Sequence, residues 1–187
     1  RHAAGAPDAM RTGDAIPGAT PGAAGPGSVR LEPAGPADRE VLGCLHAACF
    51  PEEPWSAAAI GRLLETPGMF AFLADAGPPG EPRPVGFVLA RVAAGEGEVI
   101  TICIVPGARR AGAGRALLAA AADTARECGA ESLFLEVAED NSPALCLYRL
   151  RGFLEIGRRP NYYRRIDGAI AAIVMKLELF QPNTNHS

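Results

Sequence analysis

The sequence is poor in lysine and tryptophan and has no long apolar run. Lys176 is its only lysine, arginine supplies the other basic residues, and the formal net charge is −3, which disfavours a general nucleic-acid-binding protein. No apolar run reaches the roughly 18 residues that a membrane-spanning helix needs. No positively charged start is followed by an apolar core, so we expect no secretory signal. These features predict a cytoplasmic protein that binds neither a membrane nor nucleic acid directly.

The five cysteines form no Cys-x-x-Cys pair and are odd in number, which favours neither a disulfide framework nor a zinc site. Cys44, His46 and Cys49 lie on one short segment with a helical pattern, but no fourth ligand accompanies them. We therefore expect core packing for His46, buried thiols in a reducing compartment, and no metal site.

The length of 187 residues and a hydrophobic fraction of 48% predict one domain with a substantial core. Residues 1–28 consist largely of Ala, Gly and Pro, and such a segment cannot bury enough surface to offset its chain entropy. We expect a disordered extension over residues 1–28, one domain over residues 29–180 and a flexible tail over residues 181–187.

Apolar periodicity and turn residues predict helices and strands in the order β-α-α-β-β-β-α-β-α-β-β. Ser56 is a predicted N-cap, and Asn141 stands before Ser-Pro at a predicted helix start. Residues 158–165 are predicted to form a long connection within a closing hairpin. The predicted strands are 28–32, 70–74, 85–92, 96–105, 133–137, 153–157 and 169–177, and the predicted helices begin at residues 36, 57, 116 and 141.

A glycine-bearing loop joins the apolar strand at 99–105 to the next helix. Its sequence is Arg109-Arg110-Ala111-Gly112-Ala113-Gly114-Arg115. A strand, a glycine loop and a helix N-terminus together present unpaired backbone N–H groups to an anion. The loop does not match a P-loop, because no Lys follows the glycines, nor a dinucleotide fingerprint, because Leu117 stands where its third glycine belongs. The alternatives are another phosphate-binding loop and a turn that binds no ligand.

Two runs of the sequence resemble the GNAT acetyltransferase family. Residues 109–114 match the Arg-x-x-Gly-x-Gly/Ala pyrophosphate loop of that family. Residues 133–153 resemble a second run of the family, which contains Leu-Glu-Val, then Asn, Ala and Leu-Tyr, and ends in Gly-Phe. The resemblance extends over about residues 29–177. It implies an α/β (α+β) three-layer sandwich with a mixed, centrally splayed sheet, and acetyl-CoA as co-substrate. The residues that it implies for coenzyme binding are Ile102, Cys103, Ile104, Arg109, Arg110, Ala111, Gly112, Ala113, Gly114, Arg115, Asn141 and Tyr148.

Two shorter elements narrow the resemblance to the RimI branch of the family: Phe-Pro followed by Trp55-Ser56, and Asn-Tyr162-Tyr163. That branch acetylates the N-terminal alanine of a small-subunit ribosomal protein, so the resemblance implies a ribosomal protein N-terminus as partner. Trp55, Tyr162 and Tyr163 are candidate substrate contacts. The alternatives are that Trp55 is a loop anchor packed on the core and that the two tyrosines pack within their connection.

Glu136 and Tyr148 are the candidate catalytic residues. Strand alternation places Glu136 on the face of Phe134 and opposite Leu135, and a carboxylate within an apolar strand is costly unless it is used or paired. In the family pattern this position is the general base, acting directly or through water, and Tyr148 protonates the departing thiolate. The alternatives are a salt-bridged Glu136 and a Tyr148 that only fills the core. Glu98, near a turn on the preceding strand, is a rival base.

The backbone N–H groups around Cys103 and Ile104 are candidates for stabilising the oxyanion. No cysteine lies in a motif for a covalent acetyl-enzyme, so we expect direct attack by the amine. Two other functions stay open: a GNAT enzyme for another protein N-terminus or a small amine, and a catalytically silent CoA-binding module. The intact Glu136 and Tyr148 disfavour the silent module.

Overall fold

The computed structural model describes residues 29–165 and 168–179, and within them seven strands form one sheet flanked by four helices. The elements are β1 (Arg30–Ala34), α1 (Arg39–Cys49), α2 (Ala57–Leu64), β2 (Met69–Asp75), β3 (Pro84–Ala93), β4 (Glu96–Ile104), α3 (Ala113–Glu127), β5 (Ser132–Ala138), α4 (Ser142–Leu150), β6 (Leu154–Arg165) and β7 (Gly168–Glu178). This order confirms the predicted one. The expected extension over residues 1–28 and tail over residues 181–187 lie outside the described residues.

The sheet is mixed, with the strand order β1-β2-β3-β4-β5-β7-β6. β4 and β5 are parallel, and the other neighbouring strands are antiparallel. α3 and α4 pack on one face, in a core cluster that includes Leu135 and Val137 of β5. α1 and α2 pack on the other face, where Phe87 and Leu89 of β3 are fully buried. The predicted three-layer fold is therefore confirmed, and so is the alternation along β5.

Side-chain caps begin two of the helices where the sequence predicts them. Ser56 Oγ accepts a hydrogen bond from the Ala59 N–H at the start of α2 (3.2 Å). Asn141 Oδ1 accepts one from the Ala144 N–H at the start of α4 (3.3 Å). Each cap satisfies a backbone donor that the first helical turn leaves unpaired.

The predicted long connection over residues 158–165 is wrong, because these residues continue β6 alongside β7. The register with β7 shifts between Arg159 and Tyr163, so the strand bulges there. Pro160 lies within the bulge, where its missing N–H removes no bond from the ladder, and Asn161 adopts a φ of +55°. A Pro-Asn pair, which indicates a turn in the sequence, here marks an irregularity inside a strand.

The cysteines are not all buried, contrary to expectation. Cys103 is buried and Cys49 is half-buried, whereas Cys44, Cys128 and Cys146 are exposed. The exposed three fall on the outer sides of α1 and α4 or directly after α3. Apolar composition around a cysteine therefore did not predict on which side of its helix it lies.

No helix in the described part of the chain is long and apolar enough to cross a bilayer. Over the same residues, no group of three or more His, Cys, Asp or Glu side chains is placed to hold a metal ion. His46 is 3% exposed, and its Nδ1 accepts a hydrogen bond from the Trp55 N–H (3.1 Å). Burial lowers the pKa of His46, so the imidazole is a neutral, packed core residue, as expected.

Candidate active site

β4 and β5 part near the centre of the sheet. Their parallel pairing ends at Val99 opposite Leu135. Beyond that point β4 keeps β3 as its partner, and β5 keeps β7. A gap therefore opens between residues 100–104 of β4 and residues 136–138 of β5, which is the splay that the resemblance implied.

The backbone of β4 directs hydrogen-bond donors into this gap. The Val105 N–H donates to the Val85 carbonyl beside β3 (2.9 Å) and so points away from the gap. Because backbone direction alternates along a strand, the N–H groups of Ile102 and Ile104 point toward it. The Ile104 carbonyl points the same way and accepts a hydrogen bond from Arg109 Nε (3.1 Å). The gap thus presents strand donors that β5 does not use, which is what an oxyanion requires.

The loop between β4 and α3 brings a helix N-terminus to the end of β4. Gly112 has a φ of +88°, in the left-handed region that favours glycine, and its carbonyl accepts the hydrogen bond from the Ala116 N–H (3.0 Å). The N–H groups of residues 113–115 precede that bond and have no partner within the helix. α3 begins at residue 113 rather than 116, so the predicted phosphate loop includes the first helical turn. This geometry suits an anion.

Gly114 lies where the loop meets α4. A Cβ at this position would lie 3.4 Å from Leu147 Cδ2 and 3.8 Å from Ile104 Cγ1, which are ordinary contacts. Alanine would therefore fit, whereas a larger side chain would push α3 away from β4 and α4. The loop residues that are exposed are Arg109, Arg110, Ala111, Gly112 and Arg115.

Glu136 is the first residue of β5 beyond its last pair with β4. Its side chain is 22% exposed, and its Oε1 lies 2.7 Å from Arg159 Nε. It lines a cavity of about 270 Å³ together with Glu98 and Phe134. The predicted base thus lies beside the gap, is ion-paired and reaches solvent, and the rival carboxylate Glu98 shares its cavity.

Tyr162 lies against Glu136. Its hydroxyl donates a hydrogen bond to the carboxylate, and this bond, with burial and the negative charge, raises the pKa of the phenol. Its ring centroid lies 5.9 Å from the Arg159 guanidinium carbon and 5.2 Å from the ring of Tyr163, which it meets edge-on. Both tyrosines, expected in a loop, belong to β6. Their predicted substrate contacts stay predictions.

Tyr148, on α4, packs on the face of the sheet opposite that of Glu136. It is 6% exposed, packs in the cluster that holds Leu135 and Val137, and lies 5.9 Å from the ring of Phe153. Burial, with a smaller contribution from Tyr163, raises the pKa of Tyr148 to about 12. The phenol is therefore neutral at physiological pH and able to donate a hydrogen bond.

Cys103 is placed on the β4 segment that borders the gap, but its N–H lies on the β3 side. Its thiol forms a hydrogen bond with Cys49 and lies 3.9 Å from the Leu45 carbonyl oxygen. The bond to Cys49 and burial raise the pKa of the Cys103 thiol, so it is not a thiolate nucleophile. This favours direct transfer over an acetyl-cysteine intermediate.

Trp55 anchors the segment between α1 and α2. Its indole stacks on the His46 ring at 4.6 Å between centroids and 14° between planes. It lines a separate cavity of about 400 Å³ with Leu63 and Thr66. The packing role is thus present in the fold, and the predicted substrate contact stays a prediction.

Arg159 is the site residue that sequence reasoning missed. The available signal was the Arg158-Arg159 pair in a segment of strand, because alternation sends one side chain to each face. Arg158 pairs with Glu139, and Arg159 pairs with Glu136. Taking the segment for a connection concealed this alternation.

Comparison with known proteins agrees with this geometry. The model of the acetyltransferase (GNAT) family matches residues 40–153. The [Ribosomal protein bS18]-alanine N-acetyltransferase of Escherichia coli (strain K12) is 38% identical over 93 residues, which are 50% of this chain and 63% of that protein. The matched segment therefore spans less than two thirds of the length of that relative.

Solved structures show the same fold. The crystal structure of the ribosomal-protein-S18-alanine N-acetyltransferase from Escherichia coli has a TM-score of 0.74 at 26% identity, covering 86% of this chain and 99% of that one. Arabidopsis thaliana NAA60 in complex with acetyl-CoA has a TM-score of 0.70 at 18% identity, over 81% of this chain and 99% of that one. Since the family model covers more than half of the sequence, the chain belongs to the GNAT acetyltransferase family.

Proposed function

We propose that this acetyltransferase moves the acetyl group of acetyl-CoA to the N-terminal α-amine of a protein, specifically the N-terminal alanine of a small-subunit ribosomal protein. The observation that carries the proposal is the position of Glu136, a partly exposed carboxylate at the first unpaired position of the gap. The phenol of Tyr148 is buried on the opposite face of the sheet. Ribosomal proteins are made in the cytoplasm, where we expect the enzyme to act.

The loop and the gap would together hold acetyl-CoA. The N–H groups of the first turn of α3 suit its diphosphate, with Arg110 and Arg115 adding positive charge. The Ile102 carbonyl, which faces the gap like its N–H, suits an amide N–H of the pantetheine arm, as it would that of a neighbouring strand. Asn141 Oδ1 is engaged by its cap, which leaves its side-chain NH₂ group for the same arm.

The acceptor amine requires only modest activation. An N-terminal amine has a pKa near ~8, so a fraction is neutral at pH 7. The neutral amine attacks the thioester carbonyl, an N–C bond forms, and the surplus proton passes to Glu136 directly or through water. The Ile102 and Ile104 N–H groups stabilise the oxyanion, and the C–S bond then breaks.

Tyr148 acts on the leaving sulfur chiefly as a hydrogen-bond donor. Its pKa of about 12 exceeds the ~8.5 of a thiol by several units, so complete proton transfer to the thiolate would cost roughly 5 kcal/mol. Donating a hydrogen bond stabilises the thiolate as it forms without that cost. The released thiolate then takes a proton from solvent and becomes the free thiol.

The Escherichia coli relative supports the ribosomal substrate, since its name states acetylation of the alanine of bS18. Acetylation of a different protein N-terminus or of a small amine is the alternative within the same chemistry. A silent CoA-binding module is disfavoured, because such a module needs neither a base beside the gap nor a buried phenol opposite it.

Mass spectrometry of peptides incubated with enzyme and acetyl-CoA tests the proposal. We expect a single acetyl group on the α-amine of a peptide that begins Ala-Arg. The control is the same peptide with a blocked N-terminus and an internal lysine, on which we expect no acetylation. Modification of the lysine control, or of free small amines in preference to the Ala-Arg peptide, would overturn the substrate assignment.

A further inference from the structure

The ion pair between Arg159 and Glu136 spans a whole strand. Glu136 is on β5 and Arg159 on β6, and β7 lies between them. Neighbouring strands are ~4.8 Å apart, so the two backbones are separated by roughly 10 Å. On β7, Val174 is the register partner of Glu136 and Ala172 that of Arg159, so the guanidinium has only two small side chains to reach across. Few side chains other than arginine have this reach.

Arg159 is itself held in place. It stands at the start of the bulge in β6, and its guanidinium carbon lies 5.9 Å from the ring centroid of Tyr162. The hydroxyl of Tyr162 donates to the same carboxylate. Glu136 therefore has two partners that come from one bulged segment, a guanidinium and a phenol.

We propose that Arg159 is a positioning residue that orients the Glu136 carboxylate toward the acceptor amine. The inference rests on the proposed function, in which Glu136 accepts the proton. Because Arg159 and Tyr162 bind the Glu136 carboxylate from the side of β6, its remaining lone pairs are directed at the gap. The rate of proton transfer depends steeply on how well the base is aligned with the amine. The pair contributes little to folding, because the Arg159 side chain is 60% exposed and solvent screens exposed ion pairs.

The neighbouring Arg158 supplies a matched control. Arg158 lies on β6 like Arg159, and its Nε donates a hydrogen bond to Glu139 (3.1 Å). Its side chain is similarly exposed. Arg158→Gln and Arg159→Gln therefore remove the same charge and comparable surface pairs. If Arg159 positions the base, only its loss lowers kcat.

The experiment measures kcat and KM for the Ala-Arg peptide and for acetyl-CoA, with melting temperatures, in the full chain. We expect Arg159→Gln to lower kcat about 10-fold, which corresponds to about 1.4 kcal/mol of transition-state stabilisation. Both KM values should stay within about twofold of wild type. Arg158→Gln should stay within twofold of wild type. Arg159→Lys keeps the positive charge but not the planar guanidinium with its several N–H donors, so its kcat should lie between those of Arg159→Gln and wild type.

A double variant separates positioning from other roles. In a Glu136→Gln background, Arg159→Gln should have no further effect, because Arg159 acts through that carboxylate. Additive losses would instead show that Arg159 contacts the substrate. A lower peptide KM with unchanged kcat would show that Arg159 only blocks the acceptor site, and equal losses in Arg158→Gln and Arg159→Gln would show a general charge effect.

The two proposals fail in distinguishable ways. A wild-type enzyme that acetylates the peptide, together with an Arg159→Gln variant of equal kcat, overturns the positioning role alone. A wild-type enzyme that acetylates no acceptor overturns both, because Arg159 would then have no proton transfer to serve.

Discussion

Two arginine–carboxylate pairs of equal length lie in different halves of the sheet. Arg30 on β1 and Asp75 on β2 approach to 2.7 Å, as do Arg159 and Glu136. The Asp75 side chain is 3% exposed, and its Oδ1 also accepts from the Gly77 N–H (2.8 Å). Glu136 is 22% exposed and borders a cavity, and the guanidinium that it binds is 60% exposed.

The two carboxylates therefore differ in their surroundings and not in the length of their ion pairs, and we infer that the surroundings decide which of them can react. Asp75 is enclosed: its arginine also donates to the Gly77 carbonyl (2.7 Å), which closes a small network around a turn. Removing a member of such a buried network leaves a charge without a partner. Glu136 faces open space beside the gap, so a substrate amine or a water can share it.

The largest expected effect comes from exchanging each carboxylate for its amide. Glu136→Gln should lower kcat about 10³-fold, because an amide cannot accept the proton, while the melting temperature changes little. Asp75→Asn should do the reverse, lowering the free energy of unfolding by about 3 kcal/mol. Turnover per folded molecule should then match wild type.

Steady-state kinetics would give kcat, and urea unfolding the free energy of unfolding, for both Glu136→Gln and Asp75→Asn. Acetyl-CoA affinity, measured by calorimetry, should be within a few-fold of wild type in each. If Glu136→Gln loses stability rather than turnover, Glu136 is a structural residue like Asp75, and the proposed mechanism loses its base.

A second pair of positions extends the comparison to the backbone. Gly112 and Gly80 have nearly equal left-handed φ values, +88° and +87°, and a Cβ would meet no heavy atom within 4 Å at either. Valine at either position costs roughly 1–3 kcal/mol of backbone strain. Only Gly112→Val displaces the N–H groups at the start of α3, so it alone should weaken acetyl-CoA binding, by about 100-fold in calorimetry. Similar affinities in the two variants would remove the loop from the coenzyme site.

The fold and the positions of some candidate site residues were predictable from local patterns. The alternation of β5 placed Glu136 opposite an apolar face, and the Arg-x-x-Gly-x-Gly run placed the loop, because both depend on residues adjacent in the sequence. The pairing of Glu136 with Arg159 was not predictable. It depends on the strand order β5-β7-β6 and on the bulge at Pro160, and both are set by packing between distant segments.

The same reason explains the misplaced tyrosines. Pro160 and Asn161 indicate a turn when only neighbouring residues are considered. Pairing with β7 on either side of the bulge outweighs that tendency and keeps the strand continuous. Tyr162 consequently lies beside Glu136 instead of in a surface loop, and the three tyrosines of the sequence all lie on α4 or β6.

Tyr148 sharpens the comparison, because it is nearly as buried as Asp75 but, like Glu136, is proposed to act in the reaction. Tyr148→Phe should lower kcat about 10-fold through loss of the proposed hydrogen bond to sulfur, a smaller effect than that of Glu136→Gln. With the pKa of Tyr148 near 12, the phenol stays neutral below pH 10, so the wild-type rate should show no loss from its ionisation up to that pH.

The stability of Tyr148→Phe gives the matching test of burial. The folded pKa of Tyr148, about 12, lies above the unfolded value near ~10. Burial of the neutral phenol therefore contributes stability that is complete below pH 10 and is lost as the pH rises through 12. Wild type should lose stability relative to Tyr148→Phe across this window in urea unfolding. Parallel curves would mean that the phenol reaches solvent, and its hydroxyl would then be too exposed to be held against a buried sulfur.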